Sequence, residues 1–361
     1  MSIVALLGRL ALLAAVAPVA PTTLPTSMPA TTAPAEVEQS LVAAAALLGL
    51  SLLIAWAAGV FRRRSIDGPV RVALDRSAIP LIVVTLAGGA AWLGVSAVYL
   101  MQFMSAHPGV PARPENLSGH DLAMLSILPP AVGLFILLMG DAAAGGLSRA
   151  IGYDPARIPG GIVRGIVAAL ATLPLIYAAS ILLELFYRAI HFEHPAEHEL
   201  LGAMKDTTPQ VRRLLIIGAC AVAPVFEEMF FRGHIQTLLL RFFTPRPRPR
   251  AAVEGLASPL AGTSDPMLQP IQAIPLPYEA PAIESESDVD PPRPAVWSRW
   301  LAVLITALLF TMVHPAWMRP VIFILALCLG YAYERTGNLW VAILIHAAFN
   351  TASTVAFLNM M

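Results

Sequence analysis

The chain has 361 residues, of which 57% are hydrophobic and 13% charged, and its mean hydropathy is +0.71. That leaves too little polar side-chain surface to coat a water-soluble globule of this size. Basic and acidic residues balance at 23 each, so the long basic face of a nucleic-acid binder is absent and nucleic acid is excluded as a partner. Cys220 and Cys328, both in apolar runs, are the only cysteines, which offers neither a disulfide framework nor a Cys-based metal site.

The class that remains is all-α, a polytopic membrane helix bundle. Residues 3–20 are apolar and are followed by a Pro/Thr-rich run from Pro21 to Pro34. Residues 1–40 therefore read as a signal-like segment with an exported tail, or alternatively as an uncleaved extra span. Apolar stretches near the 20 or so residues needed to cross a bilayer then recur eight times, at 41–61, 78–104, 122–140, 165–183, 211–240, 298–318, 320–333 and 338–358. The seventh is short. Residues 41–160 form the N-terminal helices and 161–358 the core. Residues 243–296 interrupt that core with frequent Pro, an Arg-Pro alternation and an acidic end at Glu284, Glu286, Asp288 and Asp290. This insertion reads as a disordered linker on the cytoplasmic side.

Cytoplasmic loops retain positive charge. With the end of the first span, Arg62 to Arg64, placed inside, fifteen basic residues fall in cytoplasmic loops and six in outer ones. The count supports an outside N-terminus and eight spans. The lipid bilayer is thus a partner, and the localisation is integral to the membrane, the cell (plasma) membrane if the chain is bacterial.

Chemistry has to be sought among polar residues inside the spans, where ionisable groups are kept only with a partner or a function. The fifth span carries Glu227, Glu228 and Arg232 in apolar sequence. Glu228 and Arg232, spaced i,i+4, share a helix face and can neutralise one another. Glu227 has no local cation, and such a carboxylate is suited to taking a proton from water. The sixth span ends Phe310-Thr311-Met312-Val313-His314-Pro315, and the eighth holds His346 and Asn350, again at i,i+4. A base, two imidazoles and an amide donor make a water-activating hydrolytic site.

Together these motifs resemble the CPBP family of intramembrane proteases, the group that contains the CAAX prenyl endopeptidases. The EExxxR motif matches Glu227, Glu228 and Arg232, FxxxH matches Phe310 and His314, and HxxxN matches His346 and Asn350. The run from Tyr333 to Trp340 looks like the family's approach to the last motif. The resemblance spans roughly residues 160–358 and implies an eight-helix protease with its site inside the bilayer. Glu227 would activate the attacking water, His314 and His346 would assist it, and Asn350 would contribute to the oxyanion site. Members are often labelled metalloproteases, yet the family also resembles a glutamate-dependent, metal-free peptidase. The cofactor is therefore either none or a divalent metal such as zinc, for which Glu227, His314 and His346 are the ligand candidates. The implied partner is a membrane-anchored protein or peptide substrate. Two readings from other classes stand beside the protease: a non-catalytic membrane scaffold of the same fold, and a proton-coupled transporter using Glu227, Arg232 and the histidines as a relay.

Helix-rise arithmetic sets Glu227 roughly 9 Å and His346 roughly 12 Å above the cytoplasmic boundary, but His314 at roughly 21 Å unless its helix begins lower or tilts. The outer loop from Arg188 to Gln210 holds His191, His194 and His198 among Glu193, Glu197 and Glu199. That group reads as a metal-binding cluster or as a solvated polar loop. His234, just after Arg232, matches no motif.

Overall fold

The computed structural model describes residues 34–62, 66, 68–69, 74, 77–113, 116–195, 199–205, 207–244 and 294–360. The signal-like segment with its tail to residue 33, and the insertion from 245 to 293, lie outside the described residues. What is described is helical, with no strand among the described residues. Eight main helices run in chain order: α1 Pro34–Ala57, α2 Ala78–Ala106, α3 Gly119–Ala143, α4 Ile158–Ala189, α5 Pro209–Phe243, α6 Val296–Met312, α7 Arg319–Thr336 and α8 Leu339–Leu358. Seven are long and apolar enough to cross a membrane, and α6, with 17 residues, is shorter.

Local sequence accounts for most of these boundaries. Ser118 and Asp121 form a reciprocal capping box at the start of α3. Thr208 accepts from the Val211 N–H just before Pro209 opens α5. Gly337, at φ 57°, ends α7 in the left-handed conformation that glycine tolerates. Asn338 then caps α8 by accepting from the Trp340 N–H. Two helices start seven residues earlier than the reading above, at Pro34 rather than 41, within the expected tail, and at Ile158 rather than 165; the sixth span ends at Met312, not 318, so it is the sixth rather than the seventh that is short. The early end of the sixth span is caused by Pro315, whose ring disfavours helical backbone at His314, so the apolar run continues as a separate turn, Ala316–Met318, leading into α7.

Neighbouring helices pack as α1 on α4, α2 on α3, α3 on α5, α4 on α8, and α6 and α8 on either side of α7. Small residues permit the close approaches, as expected where helix association relies on contact rather than on exclusion of water. At Gly133 of α3, an added Cβ would lie 2.6 Å from the Phe226 ring of α5. The main core runs from Leu81 and Leu137 through Phe226, Met229 and Phe231 to Phe310, Leu325, Leu329 and Ile345.

At the end of the bundle that carries the insertion, a polar network replaces apolar packing. Arg299 of α6 donates through Nη1 to Glu334 of α7 at 3.0 Å and through Nη2 to the Gly68 carbonyl at 3.1 Å. Gln236 of α5 donates to the other Glu334 oxygen at 2.8 Å. Arg299 and Glu334 are both buried. The turn between α7 and α8 is covered as well: Arg157 donates to the Gly337 carbonyl, and Trp340 stacks on Tyr153 with centroids 4.6 Å apart.

Removing one member of a buried ion pair strands the other in a low-dielectric site. Arg299→Ala is expected to lose about 3–5 kcal/mol of stability, read as a lower thermal midpoint in detergent. The double variant Arg299→Ala/Glu334→Gln should recover part of that loss, and an unchanged midpoint for Arg299→Ala would show that the network carries no weight.

Candidate active site

Helix α5 brings the motif carboxylates to the centre of the bundle, and it is not uniformly wound. Two π-helical stretches, Gly218–Val222 and Met229–Gln236, flank the six α-helical residues Ala223–Glu228. Wide turns of this kind are rare and concentrate at functional sites. Glu227 and Glu228 are the last two residues of the intervening α-helical segment, with Arg232 one turn further on.

Glu228 and Arg232 are fully buried. Arg232 Nη1 donates to Glu228 Oε1 at 3.1 Å, the pairing their spacing predicts. The same oxygen lies 2.9 Å from His346 Nδ1 on α8. An ionised carboxylate only accepts, so Nδ1 carries the hydrogen in that contact and Nε2 is turned toward Glu227. His346 Nε2 is 3.9 Å from Glu227 Oε2. Glu227 Oε2 is itself buried without a hydrogen-bond partner among the described residues, although the Glu227 side chain as a whole keeps 20% of its surface exposed. The first and third motifs are thus in direct contact, with Glu228 joining them.

Phe310 of the second motif is the hub on the other side. Its ring lies 4.2 Å beneath the Arg232 guanidinium carbon, a cation–π arrangement. It also meets His346 edge-on at 5.7 Å and Phe231 at 5.1 Å. His314 lies two residues beyond the end of α6, yet its Nδ1 is 2.8 Å from the Phe310 carbonyl and its ring is 4.6 Å from the Phe310 ring. The Arg319 Nε–H donates to the His314 carbonyl at 3.2 Å.

These contacts resolve the depth mismatch at His314. His346 is seven residues into α8, roughly 10 Å, whereas Phe310, which touches it, is fourteen residues into α6, roughly 21 Å. Glu228, bonded to His346, lies fifteen residues from the Phe243 end of α5, roughly 22 Å. Both helices that flank the insertion therefore project roughly 10 Å beyond the start of α8. Their projecting ends pair with each other, Ser298 Oγ donating to the Phe243 carbonyl at 3.0 Å. Leu74 meets them there, its carbonyl accepting from Arg241 Nη1 at 2.9 Å. Apolar length measured from Trp300 thus placed His314 too deep, because that end of α6 lies below the others.

Asn350 is one turn from His346 on the same face of α8, and its Nδ2 donates to the Ala219 carbonyl of α5 at 2.7 Å. The amide assigned to an oxyanion site by resemblance therefore has one hydrogen committed to the protein backbone. Among the described residues no three His, Cys, Asp or Glu side chains converge as a metal-holding group. His346 and His314 each bond through Nδ1, to Glu228 and to the Phe310 carbonyl, which is how a metal-ligating histidine uses the ring nitrogen that does not face the metal.

Two polar groups outside the motifs are better ordered than the sequence suggests. His234 is fully buried, with Nε2 3.4 Å from Asp141 Oδ2 of α3 and Nδ1 3.2 Å from Thr85 Oγ1 of α2. It ties α2, α3 and α5 together near the insertion end. The ordered signal for it was the pairing of a lone Asp with a lone His in separate apolar spans. In the outer loop, His194 is half-buried and, among the described residues, joins no metal-holding group. It stacks on Trp317 at 5.1 Å and pairs with Glu184 at 3.1 Å, while Tyr187 OH donates to the Trp317 carbonyl at 2.8 Å. These contacts brace the turn that follows His314. His198 and Glu197 lie outside the described residues.

Comparison with known families gives one finding. Residues 291–352 match the family model described as Type II CAAX prenyl endopeptidase Rce1-like. The match contains Phe310, His314, His346, Asn350 and the Tyr333–Trp340 run, and it stops short of Glu227, Glu228 and Arg232. No curated protein and no solved structure matches the chain. The matched segment supplies α6 to α8, which close the site around the α5 carboxylates, and its match supports the resemblance of the three motifs to the CAAX endopeptidase, or CPBP, family.

Proposed function

We propose that the protein is an intramembrane endopeptidase that hydrolyses a peptide bond of a membrane-anchored protein or peptide with water activated by Glu227. The observation that carries this reading is the 3.9 Å separation between Glu227 Oε2 and His346 Nε2. It is too long for a direct hydrogen bond and short enough for both atoms to bond one water. Glu228 orients the imidazole by accepting from Nδ1, and Arg232 balances the Glu228 charge, so that Glu227 is the carboxylate left to take a proton.

In this scheme Glu227 removes one proton from water as the oxygen attacks the peptide carbonyl carbon. The C–N bond then breaks, and Glu227 returns the proton to the departing nitrogen, leaving a carboxyl group and an amine. His346 Nε2, which carries no hydrogen while Nδ1 donates to Glu228, accepts the other hydrogen of the water and so aligns it, and His314, across the Phe310 ring, is the second imidazole of the site. The substrate carries an apolar or lipid anchor, because a soluble peptide does not bring its amide into a site between membrane helices. The excess of basic residues in the loops at the insertion end makes that end cytoplasmic.

Glu227→Gln keeps the shape of the side chain and removes its basicity. Cleavage of an anchored reporter by the purified protein in vesicles is expected to fall at least about 100-fold, with an unchanged thermal midpoint, since Glu227 Oε2 makes no hydrogen bond to lose. Retained cleavage would remove Glu227 from the chemistry.

Sidedness gives a second prediction. In oriented vesicles, a cleavage segment placed next to the cytoplasmic end of a single-span reporter should be cut and the same segment at the outer end should not. Cutting confined to the outer side would refute the orientation.

A further inference from the structure

The polar face of α8 meets α5 three times in succession. His346 bonds Glu228, Asn350 bonds the Ala219 carbonyl, and Thr354 Oγ1 lies 3.7 Å from Cys220 Sγ. The middle contact has a cause in the α5 backbone. In the first π-helical stretch the Ala223 N–H reaches five residues back to the Gly218 carbonyl. The next carbonyl along, Ala219, would in the same winding be served by residue 224, and in α-helical winding by residue 223. Residue 224 is proline, which has no N–H, and the Ala223 N–H is already given to Gly218. A backbone carbonyl without a donor inside an apolar bundle costs about as much as a lost hydrogen bond. Asn350 supplies the donor, at 2.7 Å.

We propose that Asn350 is a positioning residue: it satisfies the Ala219 carbonyl that Pro224 orphans, and so holds the wide turn of α5 that sets Glu227 and Glu228 against His346. Pro224 lies three residues before Glu227, and a rotation of that turn would carry both carboxylates round the helix and away from α8. Asn350 is one turn from His346 on the rigid α8, so a single helix face fixes the carboxylates at two heights, by the ion pair and by the amide.

The catalytic part of this proposal rests on the protease reading, whereas the structural part does not, and the experiment separates them. Asn350→Leu is expected to lower the thermal midpoint in detergent and to reduce reporter cleavage by roughly 100-fold, the loss that follows from a displacement of about 1 Å. In a Pro224→Ala background, which restores an N–H beside the Ala219 carbonyl, the further change Asn350→Leu should cost less than half as much in midpoint and should regain cleavage. Equal losses in both backgrounds would overturn the proposal and return Asn350 to direct contact with the oxyanion. A measurement on the unsubstituted protein covers the case in which Pro224→Ala does not fold. The chain has four asparagines, at 116, 338, 350 and 359, so with ¹⁵N-asparagine labelling the Asn350 side-chain amide is assignable by its absence in Asn350→Leu. One of its two hydrogens should exchange slowly with solvent without any substrate present; rapid exchange of both would overturn the proposal. If the wild type cleaves no reporter, the protease reading fails while the midpoint and exchange results still decide the role of Asn350.

Discussion

A single carboxylate oxygen organises the centre of this bundle. Glu228 Oε1 accepts from Arg232 on its own helix and from His346 on α8. Arg232 in turn lies over Phe310 of α6, and its second terminal nitrogen donates to the Ala326 carbonyl of α7 at 3.4 Å. Four helices thus converge on one buried ion pair. Such a pair adds little net stability over apolar packing of the same volume, because desolvation of two charges offsets most of the attraction. Its effect is on specificity of arrangement. Any packing that separates α5 from α8 leaves a charge in an apolar medium, so the helices are held in the one register that also sets Glu227 beside His346.

Polar contacts recur along the bundle wherever the helices would otherwise slide. At the insertion end Arg299, Glu334 and Gln236 join α6, α7 and α5, and Asp141, His234 and Thr85 join α3, α5 and α2. Lipid chains are as apolar as leucine side chains, so exclusion from water does little to select one helix neighbour over another, and hydrogen bonds and close contacts at small residues supply the selectivity. The result is a site whose position depends on polar layers on both sides of it. The roughly 10 Å projection of α5 and α6 beyond α8 follows from the same contacts: Glu228, His346 and Phe310 must be level, and the unequal lengths of helix on their far sides are left to protrude where the insertion joins them.

Much of this was legible in the order of residues. Runs of about 20 apolar residues mean helices that cross a bilayer, because only a helix satisfies its own backbone there; the all-α bundle of eight helices and the pairing of Glu228 with Arg232 follow from length and from i,i+4 spacing alone. The three motifs pointed to the family, and the family model matches the segment holding two of them. Two features turn on local chemistry that a count of apolar residues omits. Pro315 stops α6 at Met312 although the apolar run continues, and Pro224 sits where α5 widens into a π-helical turn.

Other features depended on the tertiary structure because they join residues that have no sequence relation to one another. Nothing in the order of residues says that His346 bonds Glu228 rather than Glu227, that His234 finds Asp141 more than ninety residues away, or that the Asn350 amide is spent on a carbonyl of α5. The sequence by itself determined which side chains would be carried into the membrane and at what spacing along each helix, since those follow from periodicity and from the cost of burying charge. Which helix faces meet, at what relative height, and hence which carboxylate is left facing an unoccupied imidazole nitrogen, was decided only by three-dimensional packing, because helix–helix register in an apolar medium is set by a few long-range polar contacts.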